Sequence, residues 1–310
     1  MPYQDIYSLV GNTPLLKLSP IGLCDASIYV KMEGYNPTGS VKDRACIKLI
    51  RNVLERGDLK PGMTLLDASS GNLGCALAFY ARLMRFETLI VCSSKLTQAK
   101  LEFMRYYGAR VLQIGDFTIE GNRYCRQLTE GEPHRFCFLD QLHSWSNPQC
   151  HYETTGPEII DALPNVAMIV ASLGSGGTVM GIGKFLKEYY PHVLIGAVQA
   201  EIGSRIPGTA SLDEGDYVTP FIERAYAESV IDLTFKVSES EAFSGAMELR
   251  DQGVFAGLQT GGVFFAARQF IRQRNLKGNV VILSGDSGWK NLDKLFRAEP
   301  GKPCPFPESV

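Results

Sequence analysis

Two glycine-rich turns of this chain have the residue types and spacing to bind anions. The turn "SSGNLG" (69–74) precedes an apolar stretch of helical composition, so its hydroxyls and unpaired backbone N–H groups suit a carboxylate. The turn "GSGGT" (174–178) has three glycines in four residues, which lets the backbone wrap around an anion. Ser175 and Thr178 add hydroxyl donors at the start of the next helix, and a phosphate needs such donors.

The turn at 174–178 does not match the phosphate loops of ATP-binding or dinucleotide-binding proteins. No lysine followed by Ser or Thr stands at the P-loop spacing. Val179 occupies the position where the dinucleotide motif has its third glycine. The sequence therefore predicts a phosphate that belongs to a different molecule.

Lys42 lies in "NPTGSVKDR" (36–44), where Ser40 is predicted to be the N-cap of a helix. A helix N-terminus carries partial positive charge, so an ammonium there is disfavoured unless it is solvated beside Asp43. A lysine amine that loses its charge can form a Schiff base. A phosphate cradle, a carboxylate loop and such a lysine together indicate the chemistry of pyridoxal phosphate (PLP).

The elements that must position these residues alternate between apolar strands and helices. One helix is predicted from "DRACIKLIRNVLERG" (43–57), and another begins after Ser238, which has capping-box spacing to Glu241. Near-continuous apolar strands between helices indicate parallel sheets covered on both faces. The predicted strands are 27–33, 64–70, 87–93, 109–115, 135–141, 167–174, 194–201 and 279–286.

Length and charge limit the classes of function. The 310 residues, 45% hydrophobic and 21% charged, predict one large or two medium globular domains. Lys plus Arg number 31 against 33 Asp plus Glu, which leaves no basic footprint for nucleic acid or an anionic membrane. No apolar run reaches the ~18 residues of a membrane span, and residues 1–14 lack a signal-peptide pattern. We therefore expect a cytoplasmic protein.

The cysteines and histidines give no sign of a metal site. The eight cysteines are scattered and do not cluster with the four histidines, so most cysteines are expected to be small core residues. The histidines form no triad pattern and are interpreted as structural or surface residues. They are His134, His143, His151 and His192.

Six motifs between residues 8 and 292 resemble the cysteine synthase and cystathionine β-synthase family, PLP enzymes of fold type II. They are "GNTPLLKL" (11–18), "NPTGSVKDR" (36–44), "SSGNLG" (69–74), "HYETTGPEI" (151–159), "GSGGT" (174–178) and "GVFAGLQTGG" (253–262). The second and the fourth are most similar to the cysteine synthase B group.

The resemblance implies an α/β fold of two open parallel-sheet αβα domains, like that of the tryptophan synthase β subunit. A smaller mobile domain would span residues 43–145, because the carboxylate loop lies there. A larger domain that binds the cofactor phosphate would be formed by residues 1–42 and 146–310. The resemblance also implies a homodimer.

Residue by residue, the resemblance implies these roles in the site. Lys42 would form the Schiff base with PLP, Asn72 would bond the ring hydroxyl, and Ser287 would face the pyridine nitrogen. The residues of the phosphate cradle would be Gly174, Ser175, Gly176, Gly177 and Thr178. The residues around the substrate carboxylate would be Ser69, Ser70, Gly71, Asn72, Leu73 and Gln141.

The sequence departs from the family pattern at two places. The family's T-S-G-N-T-G loop reads "SSGNLG" here, so Leu73 removes a hydroxyl expected near the carboxylate. A similar G-N-L-G loop occurs in the family's diaminopropionate synthases. The last loop, "LSGDSG" (283–288), is one residue longer than usual, so Ser284 or Asp286 could replace Ser287 at the pyridine nitrogen.

The activity that the resemblance implies is β-replacement on O-acetyl-L-serine or O-phospho-L-serine, with Lys42 as general base at the α-carbon. Our first hypothesis is cysteine synthesis with sulfide or thiosulfate as the nucleophile. The alternative is a diaminopropionate synthase-like or cystathionine β-synthase-like enzyme. A PLP-fold protein that only binds or regulates a partner is a third hypothesis, and the intact Lys42 and Asn72 argue against it.

Arg205 is the candidate for choosing between the two donors. It is the one cation in "EIGSRIPGTAS" (201–211), which follows a predicted strand and, by resemblance, borders the entrance of the site. A guanidinium can hold a phosphate through two hydrogen bonds. The alternative interpretation is a solvated loop arginine. The expected partners are thus an amino-acid substrate and a small nucleophile.

Overall fold

The structure, a computed structural model, describes residues 3–20, 22, 25–69, 71–94, 96–214 and 217–295. These residues form two open sheets. The larger sheet has the strand order β1-β2-β10-β7-β8-β9 and is parallel except for the antiparallel pair β1 and β2. Its strands are β1 (Leu15–Lys17), β2 (Ala26–Met32), β7 (Val166–Ser172), β8 (Leu194–Ala200), β9 (Leu233–Val237) and β10 (Gly278–Ser284).

The smaller sheet is formed by the middle of the chain and is entirely parallel. Its strand order is β5-β4-β3-β6. Its strands are β3 (Thr64–Ala68), β4 (Glu87–Cys92), β5 (Arg110–Gln113) and β6 (Phe136–Phe138). Parallel pairing requires crossover connections, and the helices between the strands provide them.

Helices cover both faces of the two sheets. The long ones are α1 (Lys42–Glu55), α2 (Asn72–Leu83), α3 (Gln98–Tyr106), α4 (Thr118–Gly131), α7 (Gly177–Tyr189), α8 (Pro220–Ala227), α9 (Glu239–Asp251) and α10 (Leu258–Arg274). The short ones are α5 (Ser146–Cys150), α6 (Gly156–Ala162) and α11 (Leu292–Leu295), and a π-helical turn, His151–Thr155, joins α5 to α6. The predicted α/β class with parallel sheets is confirmed.

Each sheet has a separate apolar core on each of its faces. On the larger sheet, α9 and α10 pack on one face around Phe264, and α7 and α8 pack on the other around Phe221. On the smaller sheet, α1 and α2 bury Leu49 and Leu77 on one face, and Cys125 of α4 is buried on the other. Strands covered on both faces read as continuous apolar runs, which is why the sequence revealed most of them.

All eight predicted strands are present, within one to three residues at their ends, and two further strands were missed. Both missed strands lie at the edges of the larger sheet. The segment β1 is only three residues long and partly exposed, and β9 is apolar on one face only. Edge strands lack the continuous apolar run that marks a buried strand, so their signal in the sequence is weaker.

The predicted helix starts are partly correct. Ser238 caps α9, and Glu241 completes the capping box as expected. Ser40 is not the N-cap of α1, because the helix begins one residue later and Val41 occupies that position. No helix in the described part of the chain is long and apolar enough to cross a membrane.

Candidate active site

The carboxyl ends of the strands in both sheets face a cavity of about 570 Å³. Open parallel sheets bind their ligands at this edge, because the loops that leave the strands converge there. The cavity is lined from the smaller sheet by the loops after β3, β4, β5 and β6, and from the larger sheet by those after β7 and β8. The predicted site residues that line this cavity are Lys42, Ser69, Asn72, Leu73, Gln141, Gly174, Ser175 and Arg205.

Lys42 is the first residue of α1, and the last loop of the larger sheet fixes the segment before it. The backbone N–H of Val41 donates to the carbonyl of Gly285 at 3.0 Å, and Ser287 N–H donates to the carbonyl of Gly39 at 3.0 Å. Asp43 does not face Lys42 as a solvated partner. Its buried carboxylate accepts hydrogen bonds from Thr38 and Tyr80 at 2.6 Å each.

The setting of Lys42 favours the neutral amine. Burial lowers the pKa of its ammonium, with nearby Cys150 acting in the opposite direction. No ion pair joins Lys42 to another residue of the described ranges. Burial also raises the pKa of the Cys150 thiol to about 12, so this neighbour is uncharged. Lys42 can therefore act as a nucleophile and as a base.

The carboxylate loop begins α2 and is shaped by Ser69 and Gly71. The Ser69 hydroxyl accepts from the backbone N–H of Gly71 at 3.0 Å and of Gly74 at 2.8 Å. Gly71 has φ +142°, and a Cβ there would lie 2.5 Å from Lys100 Cδ, so only glycine fits. Ser70 lies outside the described residues. Leu73 lines the cavity and also packs into the core of the smaller sheet.

Asn72 connects the two sheets. Its Nδ2 donates to Oδ2 of Asp286 at 2.9 Å, and Asn291 donates to the same oxygen at 3.1 Å. The ammonium of Lys100 lies 3.6 Å from that oxygen. Asp286 uses one N–H of the Asn72 amide, so the second N–H and the amide oxygen are left to meet a ligand. This oxygen is buried and has no partner within the described residues.

The phosphate cradle opens α7 as the sequence predicted. Gly176 is the N-cap with φ +82°, and Ser175 Oγ accepts from Asn147 Nδ2 at 3.0 Å. A Cβ on Gly177 would lie 2.2 Å from Asn147 Oδ1. Thr178 Oγ1 lies 3.3 Å from Nε2 of buried His151. Burial, together with the charges of Arg44 and Lys42, lowers the pKa of His151 to about 3, so its ring is neutral.

The three polar residues of the last loop have different environments. Ser287 is half-buried, its Oγ accepts from Trp289 N–H at 3.4 Å, and it is not among the cavity-lining residues. The Asp286 carboxylate accepts hydrogen bonds from Asn72 and Asn291. Ser284 is buried at the end of β10, where its Oγ accepts from Thr260 at 3.3 Å and keeps its own proton to donate.

Comparison with known proteins agrees with this geometry. Residues 6–285 match the family model described as pyridoxal-phosphate dependent enzyme. The chain is 34% identical over 275 residues to cysteine synthase B of Pseudomonas aeruginosa, covering 87% of this chain and 90% of that protein. It is also 34% identical over 289 residues to cysteine synthase B of Escherichia coli, covering 91% and 92%. The chain belongs to the cysteine synthase family of pyridoxal-phosphate dependent enzymes.

Solved structures with similar folds include other members of this enzyme class. A crystal structure of O-ureido-L-serine synthase matches with a TM-score of 0.88 and 26% identity over 98% of both chains. A hydrogen sulfide-producing enzyme from Fusobacterium nucleatum matches with a TM-score of 0.85 and 28% identity, covering 93% of this chain and 99% of that one. The chain is therefore a fold type II enzyme that uses PLP for β-replacement on small-molecule substrates.

The residues present fit PLP. The turn at 174–178 presents the hydroxyls of Ser175 and Thr178 at the N-terminus of α7, which suits a phosphate. Two buried amide oxygens, Asn72 Oδ1 and Asn147 Oδ1, have no partner within the described residues and lie beside the carboxylate loop and the cradle. Groups of this kind are costly unless a ligand or water satisfies them.

Sequence reasoning missed several polar residues of this cysteine synthase family site. Arg123 of α4 and Lys100 of α3 add positive charge to the cavity wall, and Thr97 adds a buried hydroxyl that lacks a partner within the described residues. Lys100 and Thr97 follow β4 at the same sheet edge as the predicted loops, so their position after a strand was the available signal. The interpretation of His143 as a plain structural or surface residue also missed a contact, since it bonds Tyr217 of the cavity wall.

Proposed function

We propose that this enzyme catalyses β-replacement on O-acetyl-L-serine or O-phospho-L-serine, with sulfide or thiosulfate as the nucleophile and cysteine as the product. The observation that carries this proposal is the convergence of Lys42, the carboxylate loop and the phosphate cradle on one cavity. The relatives named cysteine synthase B support the choice of sulfur nucleophile. The partners we propose are one amino-acid donor, one small nucleophile and a second copy of the chain.

The residues of the chain have separate tasks in this reaction. Bound PLP supplies the electron sink that acidifies the α-proton of the donor and allows its β-substituent to leave. Lys42 would hold the cofactor, take the α-proton on Nζ and return it at the end, which its lowered pKa permits. The loop at 69–73 and Gln141 would hold the donor carboxylate, and the side-chain amide of Asn72 would bond the ring hydroxyl of the cofactor.

We propose Ser284 rather than Ser287 as the partner of the pyridine nitrogen. Ser287 is half-buried and lies beyond the strand end, and Asp286 already accepts from Asn72. Ser284 is buried and has a free O–H. A neutral hydroxyl would leave the nitrogen largely unprotonated, which favours elimination of a β-substituent over transamination.

The experiment that tests this function is a donor and nucleophile screen. Purified enzyme loaded with PLP is mixed with O-acetylserine or O-phosphoserine, and release of acetate or phosphate is measured before any nucleophile is added. Sulfide, thiosulfate, ammonia and homocysteine are then compared as nucleophiles. No release from either donor would contradict the proposed function. The O-ureido-L-serine synthase fold and Leu73 favour a second candidate, β-replacement with a nitrogen or oxygen nucleophile, which ammonia and an added hydroxyurea arm of the same screen detect.

Arg205→Ala is expected to weaken turnover of O-phosphoserine much more than that of O-acetylserine. Arg205 lines the cavity, and no hydrogen bond or ion pair joins its guanidinium to the residues that the structure describes. A lost charge-assisted hydrogen bond costs ~1.5–3 kcal/mol, so kcat/KM for the phosphorylated donor should fall about tenfold to hundredfold.

Two further variants make the Arg205 measurement decisive. Arg123→Ala tests the other arginine of the cavity wall, and Arg250→Ala is the control, because Arg250 pairs with Asp251 on the surface. Equal losses on both donors for Arg205→Ala would remove Arg205 from phosphate recognition. A selective loss in Arg123→Ala instead would assign this role to α4.

We propose that residues 43–145 move as a unit over the bound substrate. Asn72 and Gln141 approach the cavity from this unit, whereas the phosphate cradle belongs to the larger sheet. Arg44 forms ion pairs with buried Glu33 and half-buried Glu158 of the larger part, so the first turn of α1 stays with that part and the movement begins after it. Closure would exclude water from the reacting carbon.

This movement is expected to appear as a rotation of the smaller sheet between two crystal structures. One holds the enzyme with PLP alone, and the other holds it with an unreactive amino acid bound through its carboxylate. The movement is followed by the distance between Asn72 Nδ2 and Asp286 Oδ2, which is 2.9 Å here, compared between the two crystal structures. The same sheet orientation in both, in lattices that leave the unit free, would contradict the proposal.

A further inference from the structure

A hydrogen-bonded chain of three side chains connects the cavity wall to solvent. Asp140 follows β6, His143 lies three residues later, and Tyr217 lines the cavity from the segment between β8 and α8. His143 Nδ1 lies 2.7 Å from Asp140 Oδ1, and its Nε2 is hydrogen-bonded to the Tyr217 hydroxyl. This series of hydrogen bonds therefore connects the part of the molecule around the smaller sheet with the part around the larger sheet.

The direction of the proton in this chain follows from the neighbours of Asp140. Asn122 Nδ2 donates to Asp140 Oδ1 at 2.8 Å, and Arg126 donates to Oδ2 at 2.9 Å. Because both neighbours donate hydrogen bonds to it, the Asp140 carboxylate is an acceptor. Nδ1 of His143 therefore carries the hydrogen that points to Asp140. Nε2 is then the lone-pair atom, and it accepts the Tyr217 O–H.

The backbone is adapted to hold this arrangement. Asp140 has φ +52°, a conformation that side chains rarely adopt. Its carbonyl accepts from the backbone N–H of His143 at 3.0 Å and of Ser144 at 2.8 Å, which fixes the turn that carries the imidazole. Such strain persists where the surrounding contacts determine it, and it is concentrated at functional sites.

The burial of Tyr217 and the partial exposure of His143 suit proton transfer from the cavity to solvent. Tyr217 is half-buried in the wall with Thr219 and Gln141, near the cradle and the carboxylate loop. Burial raises the pKa of its hydroxyl, the charges of Asp140 and Glu223 act the same way, and Arg126 and Arg123 oppose them. Tyr217 therefore keeps its proton at neutral pH until a base accepts it. The side chain of His143 is 30% exposed, which allows exchange of protons with solvent.

We infer that Tyr217 receives the proton of the incoming nucleophile and that His143, positioned by Asp140, carries a proton on to solvent. The inference rests on the proposed β-replacement and narrows its nucleophile to a neutral protic group X–H, such as a thiol, an amine or undissociated hydrogen sulfide. The β-substituent leaves first with its bonding electrons, which creates a double bond between the α-carbon and the β-carbon. The lone pair of X then forms the bond to the β-carbon as the X–H bond breaks, and the displaced π electrons take up the proton that Lys42 returns at the α-carbon. The proton goes to the Tyr217 oxygen, and the Tyr217 proton goes to Nε2 of His143. The resulting imidazolium stands beside the Asp140 carboxylate.

Tyr217→Phe tests this role because it removes one oxygen and preserves the ring. With O-acetylserine as donor, 2-mercaptoethanol serves as the protic nucleophile and thiosulfate as the anion that carries no proton. We expect turnover with 2-mercaptoethanol to fall about 10²-fold or more, as for the loss of general base catalysis. Turnover with thiosulfate and acetate release without nucleophile should stay within about threefold of the wild type, since neither requires a proton to be removed from the nucleophile.

The controls separate proton transfer from a structural role. His143→Gln should reproduce the selective loss with Tyr217 intact, whereas Tyr226→Phe, whose hydroxyl bonds Thr234 on the surface, should change nothing. If Tyr217 and His143 only hold the two parts of the molecule together, the variants should lose turnover with both nucleophiles and acetate release to the same extent. That result overturns the inference. Unchanged turnover with 2-mercaptoethanol, or a wild type that releases acetate but uses thiosulfate alone, also overturns it. Absence of both acetate release from O-acetylserine and phosphate release from O-phosphoserine in the wild type would instead show that the proposed function has failed.

Discussion

Lys42→Ala is expected to remove the covalently held cofactor and at least ~10³-fold of the turnover. The variant lacks both the amine that would hold PLP and the base that would take the α-proton, and base catalysis alone contributes ~10²–10⁴-fold. The measurement has two parts. Reduction with borohydride followed by mass spectrometry of the peptides locates the attached cofactor, and the rate of donor consumption gives the activity.

Two other lysines provide the comparison for Lys42. Lys48 lies on the same helix and pairs with Glu153 at the surface, so Lys48→Ala should keep both the label and the rate. Lys100 also lines the cavity, but its side-chain nitrogen pairs with the Asp286 carboxylate at 3.6 Å. Label that moves to the peptide containing Lys100, or normal turnover in Lys42→Ala, would contradict the assignment of Lys42.

The turns of the site were predictable because each is a local pattern. Glycine and hydroxyl residues that follow a buried strand indicate a loop at the carboxyl edge of the sheet, and this placed residues 69–74 and 174–178 correctly. The extra length of the last loop was visible, but its consequence was not. Only the fold shows that Asp286 turns toward Asn72, whereas Ser284 remains buried at the strand end.

Contacts between distant segments were not predictable from spacing. His143 and Tyr217 are 74 residues apart in sequence, and neither lies in a motif, so their pairing appears only when the loops after β6 and β8 meet. Arg123 is an exposed residue of α4. Whether it faces the cavity depends on how α4 packs against the sheet, and the sequence does not show this. Side-chain partners of this kind depend on tertiary packing, which one sequence does not determine.

The residue two positions after Lys42 connects the site to the stability of the protein. Arg44 is buried and binds Glu33 through Nε at 2.7 Å and through a second nitrogen at 2.8 Å. It also binds Glu158 at 2.6 Å and 2.7 Å, and Lys31 binds the same Glu158 carboxylate at 2.7 Å. The network fixes the first turn of α1, and therefore Lys42, against the larger sheet.

The two carboxylates of this network depend on Arg44 for their charge. Burial alone would raise the pKa of Glu33, but the charge and hydrogen bonds of Arg44, with Thr13, lower it. Burial would also raise the pKa of Glu158, but hydrogen bonds and charge from Arg44, followed by Lys31, lower it to about 2. A pKa lowered by folding stabilises the folded state above the pKa of the unfolded chain, and this contribution is lost as the pH falls toward about 2.

Arg44→Met is therefore expected to destabilise the enzyme by ~3–5 kcal/mol at neutral pH, because it leaves buried Glu33 and half-buried Glu158 with Lys31 as their one remaining cation in the network. Without Arg44, burial should raise both carboxyl pKa values, so protonation in mild acid should relieve part of the cost. Urea unfolding of wild type and variant between neutral pH and pH ~4 measures both effects, and the difference in free energy should shrink on acidification. Arg56→Met removes an exposed pair with Asp58 and should cost at most ~1 kcal/mol at either pH. A cost for Arg44→Met as small as that of Arg56→Met, or one that grows in acid, would contradict a stabilising role for the network.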